Sequence, residues 1–355
     1  MIFMWKRLKD IFNEVDAVMI TSAPNLRYFS GFCGGEGVCL IGDGFRYLFV
    51  DSRYTVAAKA EARDFEVIEY KGGKLCNEIN SKLSAHLIEN LGFEDREMTA
   101  AEFETYREKL NQKTMTGLGN RLTVLRMIKT DEEIRLMKAA EDIGDMAFAE
   151  VLPMIKAGVS ECEIAAELEY RMRRRGADKT SFDTIVVSGV KSSMPHGMPS
   201  SKKLERGDFV TMDFGCVYNG YCSDMTRTVV IETASDKQIK IYNTVLKAQL
   251  EGLCAIRAGI KGKDADSAAR KIISDAGYGD CFGHSLGHGV GLEIHELPNL
   301  SPSSDITLCE NMIVTCEPGI YVDGFGGVRI EDMVAVTKDG CLNLASSPKE
   351  LIICG

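Results

Sequence analysis

A short internal repeat constrains the fold of this chain more than any other feature. Ile155-Lys-Ala-Gly158-Val159 is echoed by Ile256-Arg-Ala-Gly259-Ile260. Gly176 is echoed by Gly277 at the same offset from its own copy. Each copy reads as a helix, an Ala-Gly turn, a second helix and a glycine that ends it, followed by strands. The pattern therefore predicts two duplicated halves that face each other.

Four carboxylates lie on the predicted strands that follow the two copies. Asp213 and Asp224 follow the first copy, and Glu317 and Glu331 follow the second. Two facing halves would bring all four carboxylates to one central point. Because a buried carboxylate without a partner is costly, such a cluster needs cations. Taken singly, each of the four could instead be an ordinary exposed or turn residue.

His288 lies between the two pairs of carboxylates along the chain, in Gly-His288-Gly-Val-Gly. One imidazole and four carboxylates form a hard, oxygen-rich ligand set with about four negative charges, which suits two divalent ions. Two ions about 3.5–4 Å apart can share a hydroxide and polarise a carbonyl group. Cys216, Cys222 and Cys316 lie close to these ligands in sequence, so thiolate ligation is an alternative, with small buried thiols as the simpler interpretation.

The composition narrows the class of protein. Among 355 residues, 45% are hydrophobic and 26% are charged, as in soluble globular proteins. A net charge of −10 argues against a nucleic-acid partner, and no apolar run has the length of a membrane span. The 12 cysteines show no dense spacing pattern and predict reduced thiols in a cytoplasmic protein.

The length predicts two domains, which we place at residues 1–125 and 126–355. The first reads as an α/β unit with strands over 16–21, 37–41 and 45–50 and a helix over 54–62. The polar stretch 112–120, with two glycines, reads as the approach to the boundary. Capping boxes, in which a hydroxyl and a carboxylate or amide cap a helix start, are predicted at Thr130–Glu133, Ser160–Glu163 and Ser235–Gln238.

Together, these motifs resemble metallopeptidase family M24, which includes Xaa-Pro aminopeptidase, Xaa-Pro dipeptidase (prolidase) and methionine aminopeptidase. The resemblance covers roughly residues 125–355. The first 125 residues are similar to the family's creatinase-like N-terminal domain through Asn25-Leu-Arg-Tyr-Phe-Ser-Gly31 and Asp51-Ser-Arg-Tyr54. The implied fold class is α/β (α+β), with a creatinase-like N-terminal domain and a pseudo-twofold pita-bread catalytic domain.

The resemblance also implies residue roles. Asp213 would bind one divalent ion, His288 and Glu317 would bind the other, and Asp224 and Glu331 would bridge the two. A metal-bridging hydroxide would attack the scissile carbonyl, with Glu317 handling its proton. His196 and His295 match the family's two catalytic histidines that are not ligands. His284, Tyr321 and Arg329 match substrate-binding or supporting positions. The expected metal is Mn²⁺, with Co²⁺ or Zn²⁺ as alternatives, and the expected assembly is a homodimer.

The expected activity is that of a Xaa-Pro aminopeptidase, which removes the first residue from peptides with proline in the second position. A strict dipeptidase is the alternative. In many dipeptidase-like members an arginine follows His-Glu-x-Pro and can bind the product's carboxylate, whereas here Asn299 occupies that position. The shorter chain length favours prolidase. A non-catalytic binding module and a creatinase-like C–N hydrolase without metal are disfavoured, because all five ligand positions are filled.

Overall fold

The computed structural model describes residues 4–355 and divides the chain into two compact units, one ending at Arg126 and the other beginning at Met127. We describe the two units separately. None of the helices in the described range has the length and apolar content that a membrane crossing requires.

The first unit is built on a six-stranded mixed sheet in the order β4-β3-β2-β1-β5-β6. Its centre is formed by antiparallel pairs, β1 with β2 and β2 with β3, and its outer strands pair in parallel. The strands are β1 (Ala17–Ile20), β2 (Val38–Gly42), β3 (Phe45–Val50), β4 (Glu66–Glu69), β5 (Asn90–Phe93) and β6 (Thr114–Gly117), and the helices are α1 (Ala23–Ser30), α2 (Thr55–Glu61), α3 (Leu75–Ala85), α4 (Ala100–Lys109) and α5 (Arg121–Met127), with short 3-10 helices at Met4–Leu8 and Ile11–Asn13.

The three strands and the helix predicted for this unit are confirmed within one residue at each end. The division between the two units follows the stretch 112–120, at Arg126 and Met127. That stretch also contains the strand β6, which pairs in parallel with β5. Its threonines and Met115 suit a short edge strand, a preference that the two glycines concealed.

The second unit contains two helix pairs and four sheets. The helices are α6 (Asp131–Val151), α7 (Glu161–Arg174), α8 (Asp236–Ala255) and α9 (Gly262–Asp275), with short 3-10 helices at Leu152–Met154, Gly189–Ser193 and Gly279–Cys281. The strands are β7 (Lys179–Thr180), β8 (Ile185–Ser188), β9 (Phe209–Phe214), β10 (Cys216–Tyr218), β11 (Tyr221–Cys222), β12 (Met225–Ile231), β13 (Gly287–Gly289), β14 (Glu296–Leu300), β15 (Ile313–Cys316), β16 (Gly319–Val322), β17 (Gly326–Arg329), β18 (Asp332–Val336), β19 (Cys341–Asn343) and β20 (Ile352–Cys354). The sheets have the orders β20-β12-β9-β8, β14-β13-β15-β18-β19, β11-β10-β7 and β16-β17.

The internal repeat is visible in this architecture. The helices α6 and α7 precede the antiparallel pair β9 and β12, and α8 and α9 precede the antiparallel pair β15 and β18. The repeated glycines match in conformation as well, with φ of 90° at Gly158 and 89° at Gly259, and of 100° at Gly176 and 85° at Gly277. The three predicted capping boxes are all present, at the starts of α6, α7 and α8.

Strand β9 shows how the fold positions a polar residue between two apolar cores. Val210, Met212 and Phe214 point into the core beneath α6 and α7, whereas Phe209 points to the opposite core beneath α8 and α9. Asp213 shares the face of Phe209, since side chains alternate along a strand. The predicted alternation is therefore confirmed, and it directs the Asp213 carboxylate toward the space between the two halves.

Close backbone packing surrounds the strand that bears His288. A Cβ atom at Gly287 would lie 2.1 Å from the carbonyl oxygen of Thr315, and one at Gly289 would lie 2.4 Å from that of Leu297. Real Cβ atoms do not approach backbone oxygens this closely, so only glycine permits β13 to lie at this distance from its neighbours.

We therefore expect Gly287→Ala to destabilise the protein, by about 1–3 kcal/mol or more, because β13 or β15 must shift to admit the methyl group. Denaturant unfolding of the purified variant measures this. Gly283→Ala is the matched control, because a Cβ there meets nothing within 4 Å. Equal unfolding midpoints for the two variants would contradict the packing described here.

Candidate metal centre

Four of the five proposed ligands, the carboxylates, come from equivalent places in the two halves. Asp213 lies one residue before the end of β9, and Asp224 directly precedes β12. Glu317 directly follows β15, and Glu331 directly precedes β18. His288 is the central residue of β13. The four carboxylates thus lie at the ends of paired strands, and the imidazole lies within a strand.

The structure brings all five side chains to one cavity of about 490 Å³. His288 Nε2 lies 3.5 Å from Asp224 Oδ2 and 3.4 Å from Glu317 Oε1. Asp224, His288 and Glu331 each present a ligand atom, and these atoms all lie within 4.8 Å of one another. Asp224 is 4% exposed and Glu331 only 1%. These distances suit side chains that share bound ions.

Among the proposed ligands, two buried carboxylate oxygens have no hydrogen-bond partner in the part of the chain that the structure describes. Asp213 Oδ2 accepts a hydrogen bond from Arg329 and Glu331 Oε2 accepts one from Thr226, but Asp213 Oδ1 and Glu331 Oε1 have none. A buried oxygen without a partner is rare and calls for an explanation. A bound cation explains both, so the residues present fit divalent metal ions.

The electrostatics of the carboxylates agree with that fit. Burial, together with the charge of Asp213, raises the pKa of Glu317 from 4.5 to about 8, although Arg329 opposes the rise. Burial and the neighbouring carboxylates also raise the pKa values of Asp224 and Glu331 well above their ordinary range. These groups therefore ionise at neutral pH only when positive charge is supplied beside them.

His288 is oriented as a neutral ligand. Its Nδ1 lies 3.1 Å from the carbonyl oxygen of Gly289. Because a carbonyl oxygen only accepts hydrogen bonds, Nδ1 carries the proton and Nε2 presents a lone pair to the cavity. Burial lowers the pKa of His288 to about 4, with the nearby His295 adding to the effect, so the ring is uncharged at neutral pH.

His284, Tyr321 and Arg329 form a hydrogen-bonded chain that ends on Asp213. His284 Nδ1 donates to the Ser285 carbonyl, so His284 Nε2 accepts a 2.9 Å hydrogen bond from the Tyr321 hydroxyl. Arg329 donates to the Tyr321 oxygen at 2.9 Å and to Asp213 at 2.6 Å. His284 and Arg329 line the cavity, whereas Tyr321 lies behind them. Burial lowers the pKa of His284 to about 4, and Arg329 adds to this effect.

His196 and His295 line the cavity as well, and both are exposed within it. The rings of His295 and His288 meet edge to face, with centroids 4.4 Å apart. Both histidines can therefore present ring nitrogens to a molecule bound in the cavity, as the sequence-based hypothesis requires.

Two threonines were not identified from the sequence. The Thr226 hydroxyl donates to Glu331 Oε2 at 2.6 Å, and the Thr315 hydroxyl donates to Glu317 Oε1 at 3.2 Å. Each lies two residues from a proposed ligand, Thr226 after Asp224 and Thr315 before Glu317. That position on alternate strand residues is the signal that could have revealed them.

The structure does not support the alternative that cysteine thiolates bind the metal ions. Cys216, Cys222 and Cys316 are buried outside the cavity lining, where the Cys216 thiol contacts the Ala140 carbonyl and the Cys316 thiol contacts the Gln249 carbonyl. Burial raises the pKa of both Cys216 and Cys222 to about 12, so these thiols stay protonated.

Apolar side chains complete the cavity, namely Phe182, Ile185, Met198 and Ile294.

Comparisons with known proteins agree with this geometry. Residues 135–338 match metallopeptidase family M24, and residues 5–128 match the creatinase/prolidase N-terminal domain. A Xaa-Pro dipeptidase structure from Bacillus anthracis is 44% identical with a TM-score of 0.96, covering 99% of both chains. A crystal structure of X-Pro aminopeptidase from Thermotoga maritima is 41% identical with a TM-score of 0.92, covering 98% of this chain and 99% of the other. A Xaa-Pro dipeptidase of Pyrococcus furiosus is 42% identical over 96% of each chain.

The carboxylate cluster predicts how stability depends on pH when metal is removed. The pKa of Glu317 is raised from 4.5 to about 8 in the folded protein. Its contribution to the free energy of unfolding is therefore complete below pH 4.5 and is lost as the pH rises from there through 8. Asp224 and Glu331 act in the same direction. His284 and His288, both with pKa values lowered to about 4 from 6.5, add no pH dependence above pH 6.5.

The unfolding temperature of EDTA-treated protein should therefore fall between pH 6.5 and 8, and added Mn²⁺ should raise it more at pH 8 than at pH 6.5. Differential scanning calorimetry at both pH values measures this. A metal-free protein that is equally stable at the two pH values would contradict the clustered carboxylates.

Proposed function

Because this chain belongs to metallopeptidase family M24, we propose that it is a Xaa-Pro dipeptidase that hydrolyses the bond between a first residue and a following proline. The observation that carries the proposal is the single cavity where all five ligand positions of the family meet. Its volume of about 490 Å³ falls in the usual range for small-molecule sites, about 300–1,000 Å³. Relatives named Xaa-Pro dipeptidase align over nearly the whole chain.

The sequence-based preference for an aminopeptidase is supported less well than its alternative. That preference depended on Asn299, which cannot pair with a carboxylate as arginine does. Asn299, His196 and His295 all line the cavity, so three side chains that can donate hydrogen bonds are available for a product carboxylate. The relative named X-Pro aminopeptidase keeps that activity as the second candidate.

We assign the metal ligands as Asp213, Asp224, His288, Glu317 and Glu331, which would hold two divalent ions. Oxygen-rich ligation favours Mn²⁺, with Co²⁺ or Zn²⁺ as alternatives. When bound, such ions act as Lewis acids and lower the pKa of water.

The chain's own residues then have separate tasks. The Glu317 carboxylate accepts the proton of the attacking water and returns it to the proline nitrogen. His196 and His295 donate hydrogen bonds to the carbonyl oxygen as it gains negative charge. Arg329, supported by Tyr321 and His284, holds Asp213 in place. Apolar contacts from Phe182, Ile185, Met198 and Ile294 suit the pyrrolidine ring, which has no N–H to satisfy.

We place the creatinase-like N-terminal domain at residues 1–125 and the catalytic domain at 126–355. A cytoplasmic homodimer is the state we propose.

The two activities are separated by comparing Ala-Pro with Ala-Pro-Ala as substrates of Mn²⁺-loaded protein. A dipeptidase should hydrolyse Ala-Pro with the higher kcat/KM, because the cavity then binds the free carboxylate of proline. EDTA-treated protein is the control and should be inactive on both. A higher kcat/KM for Ala-Pro-Ala would favour the aminopeptidase, and hydrolysis that resists EDTA would refute a metal-dependent reaction.

His295→Ala should lower kcat on Ala-Pro by about 10²–10³-fold, the usual effect of losing one hydrogen-bond donor to a developing oxyanion. Metal content should be unchanged, since His295 is not a proposed ligand. His86→Ala is a suitable control, because His86 lies in the first unit and has no proposed role. If both variants kept the parent kcat, His295 would be a structural residue only.

A further inference from the structure

A buried arginine, Arg227, lies three residues after the proposed ligand Asp224 and contacts the backbone of the proposed ligand Glu331. Arg227, on β12, is 2% exposed, and its five N–H groups make five hydrogen bonds. Four go to backbone carbonyls and one to a carboxylate, the acceptors being Pro348 O, Thr226 O, Glu331 O, Ser347 O and Asp332 Oδ1. The whole donor capacity of the guanidinium is therefore used inside the protein.

Two of these bonds fix the backbone of Glu331. The Glu331 N–H donates to the carbonyl of Thr226, and the Glu331 carbonyl accepts a 2.5 Å hydrogen bond from Arg227 Nη1. The same Arg227 nitrogen donates to the Thr226 carbonyl at 2.9 Å. Both peptide groups of Glu331 are thus tied to the strand that begins directly after Asp224. Arg227 therefore joins the backbone of Glu331 to that of Thr226, two residues after Asp224. The family resemblance assigns bridging roles to the side chains of Asp224 and Glu331.

Asp332 holds the guanidinium in this orientation. Its carboxylate is fully buried and accepts four hydrogen bonds, the one from Arg227 at 2.7 Å and others from Gln249, Asn343 and Lys349. Asp332 is also the residue after Glu331, so the ion pair joins the segment that carries one ligand to the strand that follows another.

The lining of the cavity includes neither Arg227 nor Asp332, so they do not touch a molecule bound there. A buried ion pair is in general weak evidence of a gain in stability, because desolvating both charges offsets their attraction. A positioning role explains why the Arg227 guanidinium donates hydrogen bonds to the Glu331 and Thr226 carbonyls.

We propose that Arg227, oriented by Asp332, is a positioning residue that sets the spacing of Asp224 and Glu331 and so determines the affinity of the second divalent ion. This inference rests on the proposed metal centre. It concerns the distance between two ligands rather than the reaction itself.

Mn²⁺ binding to the full-length, EDTA-treated and desalted protein tests the proposal by isothermal titration calorimetry. Arg227→Lys keeps a positive charge near Asp332, but a single ammonium group cannot reach all five acceptors. We expect the Kd of the weaker Mn²⁺ site to rise by about 10–100-fold, as for other residues that support metal ligands. The electron paramagnetic resonance spectrum of the Mn²⁺-loaded variant should also change, because the spacing of its two ions changes.

Lys349→Met is the matched control. It removes the other cation that contacts Asp332 but leaves the bonds to Glu331 and Thr226 in place. We expect its Mn²⁺ affinities to equal those of the parent protein, even if its unfolding temperature falls. Equal losses of Mn²⁺ affinity in the two variants would indicate general loosening and overturn the proposal.

The other possible outcomes distinguish failure of this inference from failure of the proposed function. An Arg227→Lys variant that binds two Mn²⁺ ions with parent affinities would overturn this inference and leave the proposed function intact. A parent protein that binds no divalent ion would overturn both. If Arg227→Lys does not fold, Asp332→Asn replaces it, since the neutral amide holds the guanidinium less firmly. Unchanged Mn²⁺ affinity in that variant would overturn the proposal, and a weakened second site would support it.

Discussion

Four carboxyl groups held in one buried volume repel each other and lose their hydration, and the rest of the second unit is arranged around that cost. At an effective dielectric constant near 20, two like charges about 4 Å apart repel by about 4 kcal/mol. Hydrogen bonds stabilise one oxygen of each of three carboxylates. Arg329 donates to Asp213, Thr226 donates to Glu331 and Thr315 donates to Glu317. The remaining charge calls for cations, which is why a metal-dependent hydrolase is the function that follows.

The internal repeat brings the four carboxyl groups together. Each half is stabilised by its own hydrophobic core beneath one helix pair, so the strand ends need not contribute apolar burial. They are free to present polar residues where the two halves meet. Asp213 shows the principle, since its strand neighbours Met212 and Phe214 are fully buried in the core while its own side chain faces the cavity.

Much of this arrangement could be predicted from the sequence because its signals are local. The capping boxes at Thr130 and Ser160, the alternation along β9 and the repeated glycines depend on residues a few positions apart. The bonds of Thr226 to Glu331 and of Arg227 to Asp332 could not be predicted, because each joins residues about a hundred positions apart whose contact depends on how the two halves pack. The preference for an aminopeptidase, which depended on Asn299, was less well supported for the same reason. The hydrogen-bond donors around a substrate come from several segments of the chain.

The repeat is imperfect at one position, and this difference has a chemical consequence. Both halves supply two carboxylates as proposed ligands, but only the second supplies an imidazole ligand, His288 on β13. With the proposed ligands, one ion would have only carboxylate oxygens from the protein, while the other would also have a nitrogen. Later transition metals gain more from nitrogen than Mn²⁺ does, following the Irving–Williams order. With this ligand assignment the two halves would create two chemically unequal positions, and a mixed supply of ions would distribute between them unevenly rather than at random.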